Sequence, residues 1–129
     1  MQMPTIVVAA AVIEQDGCFL VTRRQPGLHL EGYWEFPGGK REPGETIAAC
    51  VSRELREELA VDATVGAELL TMSHIYPDRI VELHFLACVL LSTPQPQLGQ
   101  EMMWATREDL RRLTFPPADG ELIDLLMQG

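Results

Sequence analysis

Between Gly38 and Val61 the chain reads GGKREPGETIAACVSRELREELAV. In a helix, Glu54 and Glu58 would share a face at i,i+4, with Glu57 three places after Glu54. Like charges at those spacings repel and weaken a helix. A hard divalent cation with oxygen ligands is the simplest neutralising partner. Glutamate is also a good helix former, and acidic clusters are commonly solvated faces. Three glutamates alone would therefore favour a solvated face. Their setting shifts the balance. Ile47, Ala48, Val51, Leu55 and Leu59 recur at helical spacing and should pack on a core. Ahead of them, Gly38, Gly39, Pro43 and Gly44 read as a loop. The spacing predicts a helix from about Thr46 to about Leu59, with Thr46 or Glu45 near its start.

Gly39, Glu45, Arg53, Glu54, Leu55, Glu57, Glu58 and Val61 fall on the pattern G-x5-E-x7-R-E-U-x-E-E-x-G-U, where U is a bulky aliphatic. In this the chain resembles the Nudix family. The likeness extends to MutT-type nucleotide pyrophosphohydrolases through Thr22-Arg23-Arg24, Trp34 to Lys40, Tyr76-Pro77-Asp78-Arg79 and Phe115 to Asp119. The resemblance implies a single domain over 1–129, an α/β/α sandwich around a mixed β-sheet. It implies water attack on the β-phosphorus of a nucleoside triphosphate, giving a monophosphate and pyrophosphate. The implied cofactor is Mg2+, with Mn2+ as the alternative ion, held by Glu54, Glu57, Glu58 and the Gly38 carbonyl. Glu54, Arg53 and Glu57 would form the catalytic set, with Arg53 orienting Glu45 through a fork of charge-assisted hydrogen bonds. Arg24 would contact phosphate and Arg79 the nucleotide, and His29 would lie near the base pocket. Glu35 and Asp119 complete the implied substrate-binding residues.

Three positions depart from the family pattern. Ala60 stands where the box has Gly, a residue suited to the left-handed end of a helix. Asp119 stands where MutT-type proteins have Asn. Ionised Asp only accepts hydrogen bonds, whereas Asn both donates and accepts. Asp119 thus leaves oxidised guanine open as the base and opens a cytosine reading. As a plain alternative, it caps the last helix. Leu98 stands where relatives have a Glu that binds metal or activates water, leaving Glu54 or Glu101 as the general base. The leading expectation is nucleotide-pool sanitation, as of 8-oxo-dGTP. The alternatives are a CTP or modified-dCTP pyrophosphohydrolase and a non-catalytic nucleotide-binding module.

The elements that must position these residues fit a chain of 129 residues, 47% of them hydrophobic, which suffices for one core. The net charge of −9 argues against a sequence-independent nucleic-acid binder. Arg23, Arg24, Lys40, Arg41 and Arg79 lie near the site segments and supply a local positive field for an anionic ligand. Three widely spaced cysteines, Cys18, Cys50 and Cys88, suggest neither zinc nor a disulfide framework and read as buried free thiols of a reducing cytoplasm. The apolar run Ile6–Ile13 is too short to cross a bilayer, lacks a basic segment before it and reads as a buried strand. His74 and His84 read as core or surface residues. The expected partner is a small nucleotide, with no polymer and no membrane, for a monomer or weak homodimer. Strands are expected at Thr5–Ile13, Cys18–Arg23, Thr64–His74, Ile80–Leu91 and Met102–Ala105, and helices at Arg107–Leu113 and Asp119–Met127.

Overall fold

The computed structural model describes residues 3–128. Seven strands form one mixed sheet: β1 (Thr5–Gln15), β2 (Cys18–Arg23), β3 (Trp34–Glu35), β4 (Gly38–Lys40), β5 (Ala63–Ile75), β6 (Ile80–Leu90) and β7 (Met102–Thr106). The main order is β3-β2-β1-β6-β5, with β4 also paired to β1 and β7 to β2. Strands β1 and β6 run parallel, from Thr5 opposite Ile80 to Ile13 opposite Cys88; the other pairs are antiparallel. Helix α1 (Ile47–Leu59) covers one face. On the other face lie α2 (Arg107–Arg112), a 3-10 turn at Pro117–Asp119 and α3 (Gly120–Met127).

The alternation of β1 builds both cores. Ala9, Ala11 and Ile13 pack with Val51, Leu55 and Leu59 of α1, while Ala10 and Val12 pack with Phe85, Leu110 and Leu122 on the opposite side. Two facing layers on one twisted sheet give the α/β/α sandwich. Ala48, expected on the packed face of α1, is exposed, and Cys50 is buried in its place. Of the thiols, Cys50 and Cys88 are buried and Cys18 is only partly so. His84 lies between Glu68 and Glu82, with Nε2 2.6 Å from Glu82 Oε2.

The ends of α1 are set locally. Thr46 is the N-cap, its Oγ1 accepting the Ala49 amide at 3.0 Å. At the other end Ala60 takes the left-handed conformation, φ 51 and ψ 41, so the geometry suited to Gly is kept without it. One expectation is corrected: Gly38 and Gly39 do not lie in a loop but form β4, pairing with Ala10 and Ala9. Among the described residues, no helix is long and apolar enough to cross a membrane.

Candidate active site

The absence of side chains at Gly38 and Gly39 lets β4 approach β1 and α1 closely. A methyl group at Gly38 would stand 2.1 Å from the Ala9 carbonyl oxygen. One at Gly39 would stand 2.5 Å from the Glu54 carboxyl carbon. Glycine here serves close approach, and the Glu54 carboxylate rests directly on the strand.

Arg53 organises the exposed side of this seam. Its Nε and Nη2 donate to the two oxygens of Glu45, at 2.7 and 3.0 Å. Nη1 donates to Glu54 at 2.8 Å and to Glu57 at 3.2 Å, and Nη2 also reaches the Lys40 carbonyl at 3.0 Å. This fork holds the Glu45 carboxyl well below the usual range, at about 2, with help from the Glu42 backbone. Glu58 has the opposite surroundings. Burial, and then the nearby Glu54 and Glu35 charges, push its carboxyl up to about 9. The Gly38 backbone favours its charged form but is outweighed.

Glu54, Glu57 and Glu58 are not gathered into one cage. Among the described residues, no three His, Cys, Asp or Glu side chains stand ready to enclose a metal ion. The Glu57 side chain is 58% exposed and bonded to Arg53, against 14% for Glu54. The donor chemistry still suits a hard cation. Glu58 is a half-buried carboxyl beside Glu54 and Glu35, and a divalent ion would offset their charge.

A cleft of about 390 Å³ opens beside β4. Its apolar wall includes Phe36, Leu83 and Phe85, and its polar rim carries Arg24, His29, Glu35, Lys40 and Asp119. Arg24 donates to the His29 carbonyl at 2.6 Å and to Glu35 at 3.2 Å. Burial raises the Glu35 carboxyl above its ordinary value despite Arg24. Asp119 is 8% exposed; burial, then the Glu35 charge, raise it to about 7. It makes no side-chain capping bond to α3, so the capping role expected as an alternative is not realised. Behind the Arg24–Glu35 wall, a smaller cavity of about 50 Å³ is lined by Glu58, Leu98 and Gln100.

Two placements differ from the simplest sequence picture. Arg79 is not on the cleft wall; its guanidinium lies over Tyr76, 5.6 Å from the ring centre, and Tyr76 lines the cleft. Arg79 Nε is buried with no hydrogen-bond partner among the described residues. Glu101 pairs with Arg23 at 3.2 Å in a neighbouring groove, away from Gly38 and Gly39. Sequence reasoning also missed Tyr76 and the apolar wall. The alternation of Val81, Leu83 and Phe85 along β6 was the available signal.

The NUDIX domain pattern matches residues 8–125. The chain belongs to the Nudix family. This Nudix hydrolase is 36% identical to the CTP pyrophosphohydrolase of Escherichia coli (strain K12) over 126 residues, 97% of this chain and 93% of that protein. It is 35% identical to an 8-oxo-dGTP diphosphatase of Haemophilus influenzae over 130 residues, 98% of this chain and 95% of that one. The solution structure of the E. coli ORF135 protein superposes with a TM-score of 0.87 at 36% identity, covering 98% of this chain and 91% of the other. The crystal structure of a MutT protein from Methanosarcina mazei Go1 gives 0.86 at 22% identity, covering 99% and 96%, and shares the fold. The mixed sheet between helices is thus the Nudix fold, as the sequence implied.

Proposed function

We propose that this Nudix hydrolase cleaves a nucleoside triphosphate to the monophosphate and pyrophosphate with a divalent cation, Mg2+ or Mn2+, in sanitation of modified nucleotides such as 8-oxo-dGTP. One observation carries the reading: the seam of half-buried, neighbouring carboxylates, Glu54 and Glu58, adjoins a cleft that ends in a buried hydrogen-bonding group, Asp119. Glu54, Glu58 and the Gly38 backbone would hold the ion, with Glu57 turning in from Arg53. The ion would offset polyphosphate charge and lower the pKa of a bound water.

The remaining work falls to the chain's own groups. Arg24, fixed by Glu35 and the His29 carbonyl, receives a phosphate oxygen. Lys40 adds positive charge at the cleft rim. Arg53 holds Glu54 towards the seam, where Glu54 accepts the proton of the attacking water. Glu101, engaged with Arg23, is poorly placed for that task. Phe36, Leu83 and Phe85 take the base, and Asp119 reads its edge.

Asp119 favours a second reading, a cytosine nucleotide. A protonated carboxyl donates to one ring position and accepts from a neighbouring amine, the pattern offered by N3 and N4 of cytosine. Incubation with Mg2+ and a panel of 8-oxo-dGTP, dGTP, CTP, dCTP and 5-methyl-dCTP, resolved by ion exchange, tests both. Monophosphate and pyrophosphate are expected, with the 18O of labelled water in the pyrophosphate. Absence of monophosphate from every nucleotide overturns the proposal. Asp119→Asn should shift the ratio of kcat/KM between the oxidised guanine and cytosine substrates. Glu57→Gln should lower turnover by about 100-fold or more while weakening nucleotide binding far less.

A further inference from the structure

The segment between β6 and β7 forms a strap over the end of α1. The final carbonyls of a helix have no partner within it. Here the Glu58 carbonyl accepts two bonds from the strap, from the Gln97 amide at 2.9 Å and from Gln100 Nε2 at 3.1 Å. The Leu59 carbonyl accepts the Gln95 amide at 2.8 Å. The other end of the Gln100 side chain accepts the Leu98 amide at 2.8 Å, so one side chain ties the strap to the helix. On its far side the strap is tied to β2 and the residues after it: the Arg23 amide donates to the Glu101 carbonyl at 3.0 Å, and Gln25 Nε2 donates to the Leu98 carbonyl.

These bonds fall on the turn that carries Glu58. Glu58 lies one turn after Glu54 on α1 and lines the small cavity with Glu35. Its helix ends two residues later on Ala60 in a left-handed conformation that Ala adopts less readily than Gly. Fraying of this turn would release Glu58 from the seam. Gln100 also lines the small cavity beside the Glu58 and Glu35 side chains, with Leu98 as the neighbouring wall.

We infer that Gln100 is a positioning residue for Glu58. Its amide holds the last turn of α1 against the strap, so that the Glu58 carboxylate stays opposite Glu54 for the cation. The inference rests on the metal-dependent reading above. The strap carries no carboxylate at position 98, and its contribution to the site is therefore made through the helix backbone.

The test compares Gln100→Met, close in size but unable to form either bond, with Gln25→Met, which removes only the tie to the Leu98 carbonyl. Mn2+ titration of the nucleotide-free protein, followed by electron paramagnetic resonance, should show the dissociation constant rising about fivefold in Gln100→Met and less than about twofold in Gln25→Met, the scale of one lost hydrogen bond. Steady-state kinetics should show a lower kcat with little change in nucleotide KM. Amide exchange should quicken at Glu58, Leu59 and Ala60 but not in β1, which separates local release from general unfolding. Unchanged Mn2+ affinity in Gln100→Met, or an equal loss in Gln25→Met, overturns the inference. Wild-type protein that binds no Mn2+ overturns the metal-dependent reading itself.

Discussion

At the scale of single residues, Asp119 joins stability to recognition. Its carboxyl ordinarily titrates at 3.8 and is raised to about 7 in the fold, by burial first and by Glu35 second. The folded chain therefore keeps a proton that the unfolded chain has released. The associated stability is complete below the ordinary value and is lost as pH rises through 7. Asp119→Asn removes this dependence while leaving a neutral group of similar shape. The variant should be more stable above pH 7, by up to roughly 4 kcal/mol from the size of the shift, and no more stable near pH 3. Urea unfolding of the nucleotide-free proteins across that range reads the difference. Contributions of Glu35 and Glu58, which burial also raises, largely cancel between wild type and variant. A difference that does not change with pH would show that Asp119 titrates alike in the folded and unfolded chains. The wild-type chain tolerates a buried carboxyl here, and the proposed gain is a base-reading group whose donor capacity Asn would supply differently.

At the scale of elements, helix α1 shows what sequence makes legible and what it does not. Val51, Leu55 and Leu59 announced the buried face through their spacing, and Thr46 announced the start through its capping chemistry. Arg53 and Glu45 were matched by a motif, and the fork between them formed. Gly38 and Gly39 were harder to read. Glycine usually signals a turn, but here it signals contact, because the partner strand β1 and the Glu54 carboxylate approach too closely for a side chain. That pairing is long-range and leaves no local trace. Asp119 admitted two readings: local chemistry suits a cap, the resemblance implied substrate contact, and tertiary contact buries it at the cleft. The Arg23–Glu101 pair was equally hidden, because it joins the ends of strands that only the sheet brings together. The end of α1 yields a prediction. Ala60 adopts the left-handed region at φ 51, and no shift of the helix end avoids it. Ala60→Gly should raise stability by about 1 kcal/mol, the strain relieved minus the added unfolded-state entropy of Gly. Thermal unfolding measures it, and a loss of stability would mean that the Ala60 methyl group packs better than its exposure suggests.

At the scale of the molecule, an acidic chain must attract an anion, and the distribution of charge explains how it can. Six of the arginines, Arg23, Arg24, Arg53, Arg56, Arg107 and Arg112, already pair with carboxylates. Lys40, Arg41, Arg79 and Arg111 have no ion pair among the described residues. Lys40 lies on the cleft rim, and Arg79 backs Tyr76, which also lines it. The remaining negative charge at the seam is the larger obstacle, and a bound cation would remove it. Binding only to the folded state stabilises that state by an amount set by the ratio of free ion to dissociation constant. At ten times that constant the gain is about 1.4 kcal/mol, or roughly 3 to 6 °C for a domain of this length. Addition of MgCl2 at fixed ionic strength should therefore raise the unfolding temperature, whereas KCl alone should not. The shift should grow between pH 6 and pH 9, because the ion displaces a proton from Glu58, whose carboxyl is raised to about 9 without it. Glu58→Gln should abolish most of the shift while making the ion-free protein more stable at neutral pH, since position 58 then takes up no proton on folding. An equal Mg2+ shift in wild type and Glu58→Gln would place the ion elsewhere and detach the buried carboxylate from the chemistry of the site.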